Sequence, residues 1–83
     1  MLYLKGGLAI PDDTEALQMQ AIEQLQWLTS EGGLSASEVG RRMKTPHSTL
    51  SRWMRGHYKP VPMACVLINY IYQERRKEMG LLN

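Results

Sequence analysis

The 83-residue chain has one cysteine, no phenylalanine and no run of 18 or more apolar residues. Cys65 alone cannot form an internal disulfide, and together with His47 and His57 it lacks the ligand spacing of a zinc site. A membrane span needs a longer apolar run, and residues 1–10 lack the basic region and long apolar stretch of a secretory signal. We therefore expect a cytoplasmic protein with no metal, cofactor or membrane partner.

Sequence patterns of common catalytic sites are also missing. The chain shows no phosphate-cradling glycine pattern, no internal repeat and no plausible set of nucleophile, base and acid. It is therefore predicted not to be an enzyme, and no small-molecule ligand is implied. A single domain of this size buries only roughly 60% of the surface of its unfolded chain, so a homodimer is expected to supplement its stability.

Acidic residues are absent between Gly40 and Pro60, although this stretch holds six basic residues. These are Arg41, Arg42, Lys44, Arg52, Arg55 and Lys59. Residues 1–39 hold a single base, Lys5, against six acids, so the net charge of +2 conceals a segment of +6 that follows one of −5. Such a basic segment favours an anionic partner.

The chain begins with an apolar arm, residues 1–11, which Gly6 and Gly7 interrupt. A first helix is predicted from about Asp13 to Ser30, with Asp12 and Glu15 in capping-box spacing. Helical spacing places four apolar residues on its inward face: Leu17, Ala21, Leu25 and Leu28. Its glutamines, Gln18, Gln20, Gln24 and Gln26, are expected to avoid the centre of that face. Trp27 lies on the polar side, which indicates a lateral contact with the arm, the last helix or a second chain.

Two short helices are predicted next. Ser35 and Glu38 form a capping box that opens a helix from about residue 36 to residue 44, with Val39 and Met43 pointing inward. The following helix begins at Thr45-Pro46, either with Thr45 as the cap and Pro46 at the first helical position or with Pro46 as the cap. Leu50 and Trp53 form its inward face, where Trp53 is expected to be a core residue rather than a base-stacking platform. The helix ends near Gly56.

A last helix is predicted over residues 62–79, after a loop that two prolines keep extended. One of its faces holds Met63, Val66, Leu67, Tyr70 and Ile71, and the opposite face holds Cys65, Ile68 and Tyr72. Two apolar faces require two partners, the domain's own core and a second copy of the chain. We predict that Cys65, Ile68 and Tyr72 form the dimer interface. The basic run at residues 75–77 is balanced by neighbouring acids and is expected to be solvated.

The pair of short helices meets the requirements of a helix-turn-helix, in which the second helix enters the major groove of DNA. The motif needs a small residue where the helices approach, a permissive residue at the turn, and a bulky aliphatic residue that locks the second helix. Gly40, Lys44 and Leu50 occupy these places at separations of four and six residues. A glycine in mid-helix costs about 1 kcal/mol relative to alanine, and a close helix approach explains its presence.

The segment LSASEVGRRMKTPHSTLSRWMRGHYKP resembles the helix-turn-helix of the phage repressor and Cro-like family, also called XRE-type. The resemblance implies an all-α fold, a compact helix-turn-helix domain of four to five helices at residues 12–83, similar to lambda repressor. Its motif would span residues 35–56. Two positions depart from the family pattern, since Lys44 replaces the usual glycine of the turn and Ala36 replaces a glutamine that often binds phosphate.

The resemblance also implies site residues, because the family's base-contacting positions match His47, Ser48 and Arg52. Helical spacing independently places residues 48, 51, 52 and 55 on the face opposite Leu50, which adds Ser51 and Arg55 as neighbours. Arg52 can bind the O6 and N7 atoms of guanine together, although a solvated arginine or a phosphate clamp is the alternative. The predicted phosphate contacts are Arg41, Arg42, Lys44, His57, Tyr58 and Lys59.

The predicted function is that of a sequence-specific double-stranded DNA-binding transcription regulator of phage or prokaryotic type. It would act as a homodimeric repressor that occupies a near-palindromic operator. A small Cro-like protein, an antitoxin and an anti-CRISPR-associated repressor are all compatible with the residues. The alternative is a protein-interaction module that uses the apolar arm and the last helix. RNA binding is less favoured, because only Tyr58 offers an aromatic ring beside the basic residues.

Overall fold

A computed structural model describes the backbone of residues 2–3 and 9–10 and the whole of residues 13–81. Strands β1 (Leu2–Tyr3) and β2 (Ala9–Ile10) pair antiparallel, with Leu2 opposite Ile10. Four helices follow: α1 (Thr14–Leu28), α2 (Ala36–Met43), α3 (His47–Met54) and α4 (Pro62–Glu78). The described part of the chain is therefore all-α apart from this short strand pair, which confirms the predicted fold class. The other residues of the arm lie outside the described part of the chain.

The helix ends agree with the predictions in part. Asp13 caps α1, since its Oδ1 accepts the Glu15 amide at 2.9 Å, whereas the predicted cap Asp12 lies outside the described residues. Ser35 caps α2 as predicted, because its hydroxyl oxygen accepts the Glu38 amide at 3.0 Å. At α3 the cap is Pro46. The Thr45 hydroxyl instead donates to the Met43 carbonyl at 3.2 Å, so of the two alternatives Pro46 is correct.

The core lies between α1 and α4, with α2 and α3 closing one side of it. Its buried apolar members are Leu17, Ala21, Leu25, Leu28, Val39, Met43, Leu50, Cys65, Ile68 and Ile71. The inward faces predicted for α1, α2 and α3 are confirmed, and Trp53 packs half-buried against this core. Since α3 packs on α1 and α2, its outer face turns away from the centre of the domain.

The predicted dimer interface is wrong. Cys65 and Ile68 are completely buried inside a single copy, and Tyr72 packs against the same core. Residues in this position cannot form the seam between two folded copies. The exposed face of α4 is the opposite one, except that Ile71, predicted to share it, is buried in the core. Both faces are apolar, so their composition could not indicate which of them α1 would cover.

The contact between α1 and α4 includes two buried amide side chains, one of them a glutamine expected to avoid the centre of the inward face. Gln24 is only 8% exposed and donates from Nε2 to Oδ1 of the buried Asn69 at 2.7 Å, so the expectation that this glutamine avoids the core face is wrong. Gln24 Oε1 and Asn69 Nδ2 are buried without a hydrogen-bond partner among the described residues. The helices are therefore joined by an incompletely satisfied amide pair.

Trp27 makes its lateral contact with the last helix, one of the three partners predicted for it. Its ring meets that of Tyr72 edge-on with centroids 5.1 Å apart, and the Arg76 guanidinium lies 5.7 Å from the tryptophan ring centroid. Arg75 donates from Nε to the Gly32 carbonyl at 2.7 Å. Two residues of the basic run thus bind α1 and the loop after it, so the prediction of a solvated face is wrong for them.

None of the helices in the described part of the chain has the length and apolar character that crossing a bilayer requires.

Candidate nucleic-acid interface

Gly40 allows α2 and the start of α3 to approach each other through their backbones. A Cβ atom at this position would lie 2.5 Å from the Thr45 carbonyl oxygen and 3.4 Å from the His47 nitrogen. The Thr45 amide donates to the Gly40 carbonyl at 2.8 Å, which ties the turn to the helix. A side chain here would push the turn away, so the predicted reason for a glycine in mid-helix is confirmed.

Lys44 ends α2 in the left-handed conformation, with φ 54° and ψ 42°. This backbone costs a side-chain-bearing residue roughly 1–2 kcal/mol, and glycine avoids that cost. The lysine side chain is exposed, so it adds a positive charge to the turn that precedes α3. The turn therefore has the geometry expected of a glycine although the residue is a lysine.

Leu50 locks α3 in place, since its side chain is completely buried against the core. The opposite side of α3 carries the predicted base-contacting residues. His47, Ser48, Arg52 and Arg55 are exposed and Ser51 is half-buried. The structure thus leaves all five at least partly accessible: four lie in α3, and Arg55 is the residue that directly follows it. Pro46, the cap of this helix, makes no side-chain capping hydrogen bond, so the first-turn amides have no side-chain cap.

The loop after α3 extends this exposed surface with His57, Tyr58 and Lys59. The next residue, Pro60, is buried, and its carbonyl accepts hydrogen bonds from Gln18 Nε2 at 3.0 Å and Cys65 Sγ at 3.6 Å. These contacts fix the end of the loop against α1 and α4. The three exposed side chains are therefore held close to the end of α3.

The positive charges of this surface are not neutralised within the described part of the chain. No carboxylate there lies within 4.0 Å of the charged groups of Lys44, Arg52, Arg55 or Lys59, and the ion pairs observed involve other arginines. We call the surface formed by His47, Ser48, Ser51, Arg52, Arg55, Lys44, His57, Tyr58 and Lys59 the basic face.

Arg41 and Arg42 differ from the residues of the basic face, because both pair with acids. Arg41 pairs with Glu38 one turn earlier, although its side chain remains 77% exposed. Arg42 contacts Glu38 at 3.6 Å and Glu78 at 3.3 Å, so it links α2 to the end of α4. A hydrogen bond from Arg75, with further attraction from Arg42, lowers the pKa of Glu78. The structure does not support the phosphate contact predicted for Arg42, whereas that of Arg41 stays a prediction.

An exposed apolar surface on α4 was assigned to no site by sequence reasoning, although its residues were recognised as one face of the helix. Met63, Val66, Leu67 and Tyr70 are all exposed. Glu74 and Lys77 continue this face toward the end of α4, but Arg75 and Arg76 continue the opposite face in the same way, so the sequence carries no signal that identifies the exposed one.

No protein-family model matches this chain, and neither a curated protein nor a solved structure matches it.

Proposed function

We propose that the protein is a sequence-specific, double-stranded DNA-binding transcription regulator. The observation that carries this proposal is the basic face: a short helix whose outer side is accessible, positively charged and without acidic neighbours among the described residues. Two backbone features hold α3 in its place, the close approach at Gly40 and the left-handed turn at Lys44. A helix presented in this way fits the width of the major groove.

Within the basic face, Arg52 is the residue we assign to direct readout of a base. Its guanidinium can donate two hydrogen bonds to one guanine, whereas the serine hydroxyls of residues 48 and 51 suit either donors or acceptors. Lys44 and the exposed residues of the 57–59 loop flank the helix, where they would neutralise phosphates and fix the register of binding. The uncapped amides at the start of α3 offer a further phosphate contact.

The regulator would act as a homodimeric repressor in the cytoplasm. Two α3 helices related by a two-fold axis would enter successive major grooves about 34 Å apart on a near-palindromic operator. The bound dimer would block the polymerase by occupancy, with neither a cofactor nor an enzymatic step. The amount of the protein itself would then set the level of repression.

The first experiment is selection of bound duplexes from a random library, followed by fluorescence-anisotropy titration on the selected and scrambled sequences. Arg52→Ala should weaken binding to the selected site by about 1 to 3 kcal/mol and relax preference at one base pair. Lys59→Ala should weaken binding to both duplexes about equally. Lys77→Ala is the control for loss of one exposed charge outside α3 and its flanking loops, compared at a protein concentration at which sedimentation shows the same oligomer as the wild type.

Two results would count against the proposal. A selection that enriches no sequence would remove the claim of specific recognition. Equal losses on both duplexes for Arg52→Ala would leave this arginine as a phosphate contact and refute its part in readout.

A second candidate function, a protein-interaction module such as an antitoxin or adaptor, is favoured by the exposed apolar residues of α4. The two functions differ in their response to salt. A DNA reader loses log affinity about linearly with log salt because phosphate contacts release counterions. An adaptor should show negligible affinity for duplexes at moderate salt.

A further inference from the structure

The outer face of α4 is apolar over about two turns. Met63, Val66, Leu67 and Tyr70 are 83%, 39%, 37% and 58% exposed, and helical spacing places them together on the side opposite Cys65 and Ile68. A cluster of exposed apolar side chains on one helix marks an interaction surface more often than free surface. We call these four residues the α4 outer face.

Charge at the two ends of the α4 outer face selects the direction in which a second copy can pack. Glu74 and Lys77 continue the same side of the helix at its C-terminal end, whereas the first turn of α4 contains no acid and its cap, Val61, makes no side-chain capping bond. Two parallel α4 helices would place each charge beside its own counterpart. In an antiparallel pair, Glu74 of one copy lies beside the uncapped N-terminus of the other, where the helix dipole favours an anion.

We propose that the α4 outer face is the seam of a two-fold homodimer in which two α4 helices pack antiparallel. A two-fold axis between Val66 and Leu67 places Met63 of each copy opposite Tyr70 of the other, and Val66 opposite Leu67. All four apolar residues then meet apolar partners, which is the self-complementarity that an isologous interface requires. The carboxylate of Glu74 lies just outside the seam.

The dimer seam would supply the two-fold symmetry of the proposed repressor, and only the fit of the dimer to DNA rests on the proposed function. The α4 outer face and the outer side of α3 belong to different helices, and both helices pack on α1. The domain measures 31 × 29 × 19 Å, so a dimer of two such domains is large enough to span the distance of about 34 Å between successive major grooves.

The test is sedimentation equilibrium of the full chain without DNA. Four apolar residues a side make a small seam, so the wild type should dimerise with a dissociation constant in the micromolar range. Met63→Glu and Tyr70→Glu should each raise that constant by at least about tenfold, because they place an unpaired charge in an apolar seam. Met19→Glu is the matched control: Met19 is 54% exposed on α1, and this change should leave the constant unaltered. Circular dichroism should show unchanged helix content in all three variants.

A Glu74 series tests the direction of packing. Glu74→Lys should weaken the dimer more than Glu74→Gln, because it brings a positive charge to the positive end of the partner helix. A weakened dimer for the two seam variants together with this order supports the proposal.

Three results would overturn it: a wild type that stays monomeric at roughly 1 mM, far above the expected range; a dimer unaffected by both seam variants; or a dimer that Met19→Glu disrupts equally. Sedimentation without DNA tests the dimer seam, and the anisotropy titration tests recognition of a duplex. Either proposal can therefore fail while the other stands.

Discussion

The two helix pairs of this domain are held together in different ways. In the short pair, α2 and α3, one close contact is made by backbone: the carbonyl of Thr45, in the turn between the two helices, occupies the space that a side chain on Gly40 would need. In the long pair, α1 and α4, the contact is made by side chains, among them Gln24 with Asn69 and Trp27 with Tyr72. The short pair contributes few core residues, whereas the long pair contributes most of them.

The difference indicates a division of roles between the two pairs. Backbone contact leaves the relative position of α2 and α3 little freedom, because no rotamer change can relieve a clash with a carbonyl oxygen. Side-chain contact tolerates adjustment, since amides and rings can repack. We therefore expect substitutions in the short pair to change the position of α3, which carries the basic face. Substitutions in the long pair should change only the free energy of unfolding.

Gly40→Ala is expected to have the largest effect. The new Cβ would meet a backbone oxygen at 2.5 Å, so the free energy of unfolding should fall by about 3 kcal/mol, the upper end of the range for overpacking. Chemical denaturation measures the loss. Gly80→Ala is the control, because it makes the same change at a glycine with open space around it. Its only expected cost is the strain of alanine in a left-handed backbone, φ 76°. Equal losses for both variants would contradict the assigned role of the close approach.

Asn69→Ala tests the long pair and should cost about 2 kcal/mol, because it removes the hydrogen-bond partner of a buried amide. The double variant Gln24→Leu with Asn69→Leu should be close to wild type or more stable, since it removes both amides together with their unpaired atoms. Denaturation of the three proteins provides the comparison. If the double variant is less stable than Asn69→Ala, the amide pair contributes more to the free energy of unfolding than the two leucines that replace it.

Lys44→Gly should have the smallest effect and the opposite sign. Glycine adopts φ 54° without steric cost, so the domain should gain up to about 1 kcal/mol of stability. The same change removes a charge from the basic face, so affinity for any duplex should fall at low salt. A thermal melt and an anisotropy titration of the same sample measure the two effects. A loss of stability would mean that the lysine side chain makes a contact that outweighs the backbone strain.

Much of the short pair could be predicted from the sequence, because local rules act there. Ser35 followed by Glu38 predicted a helix start, and the spacing of Gly40 and Leu50 predicted a close approach and a buried lock. The proline at residue 62 marked the start of α4 correctly. At α3 the sequence allowed two caps, and the tertiary position of Thr45, whose hydroxyl bonds Met43, decided between them.

The long pair was harder to predict because its contacts are not local. Cys65 and Met63 lie on opposite apolar faces of one helix, and only the position of α1 determines which face is buried. Gln24 was placed outside the core because glutamine is polar, yet Asn69, 45 residues away, offers it a buried partner. The acids next to Arg75 and Arg76 in the sequence predict a solvated face, whereas Arg75 binds the loop at Gly32 and Arg76 lies over the ring of Trp27.

The burial of Cys65 has a practical consequence for work with this protein. The side chain has no exposed surface, and burial raises the pKa of its thiol, which keeps it in the unreactive protonated form. The folded protein should therefore resist alkylation and disulfide cross-linking without added reductant. Reagents that modify thiols would reach this sulfur only when the core opens, so their rate of reaction reports the frequency of that opening.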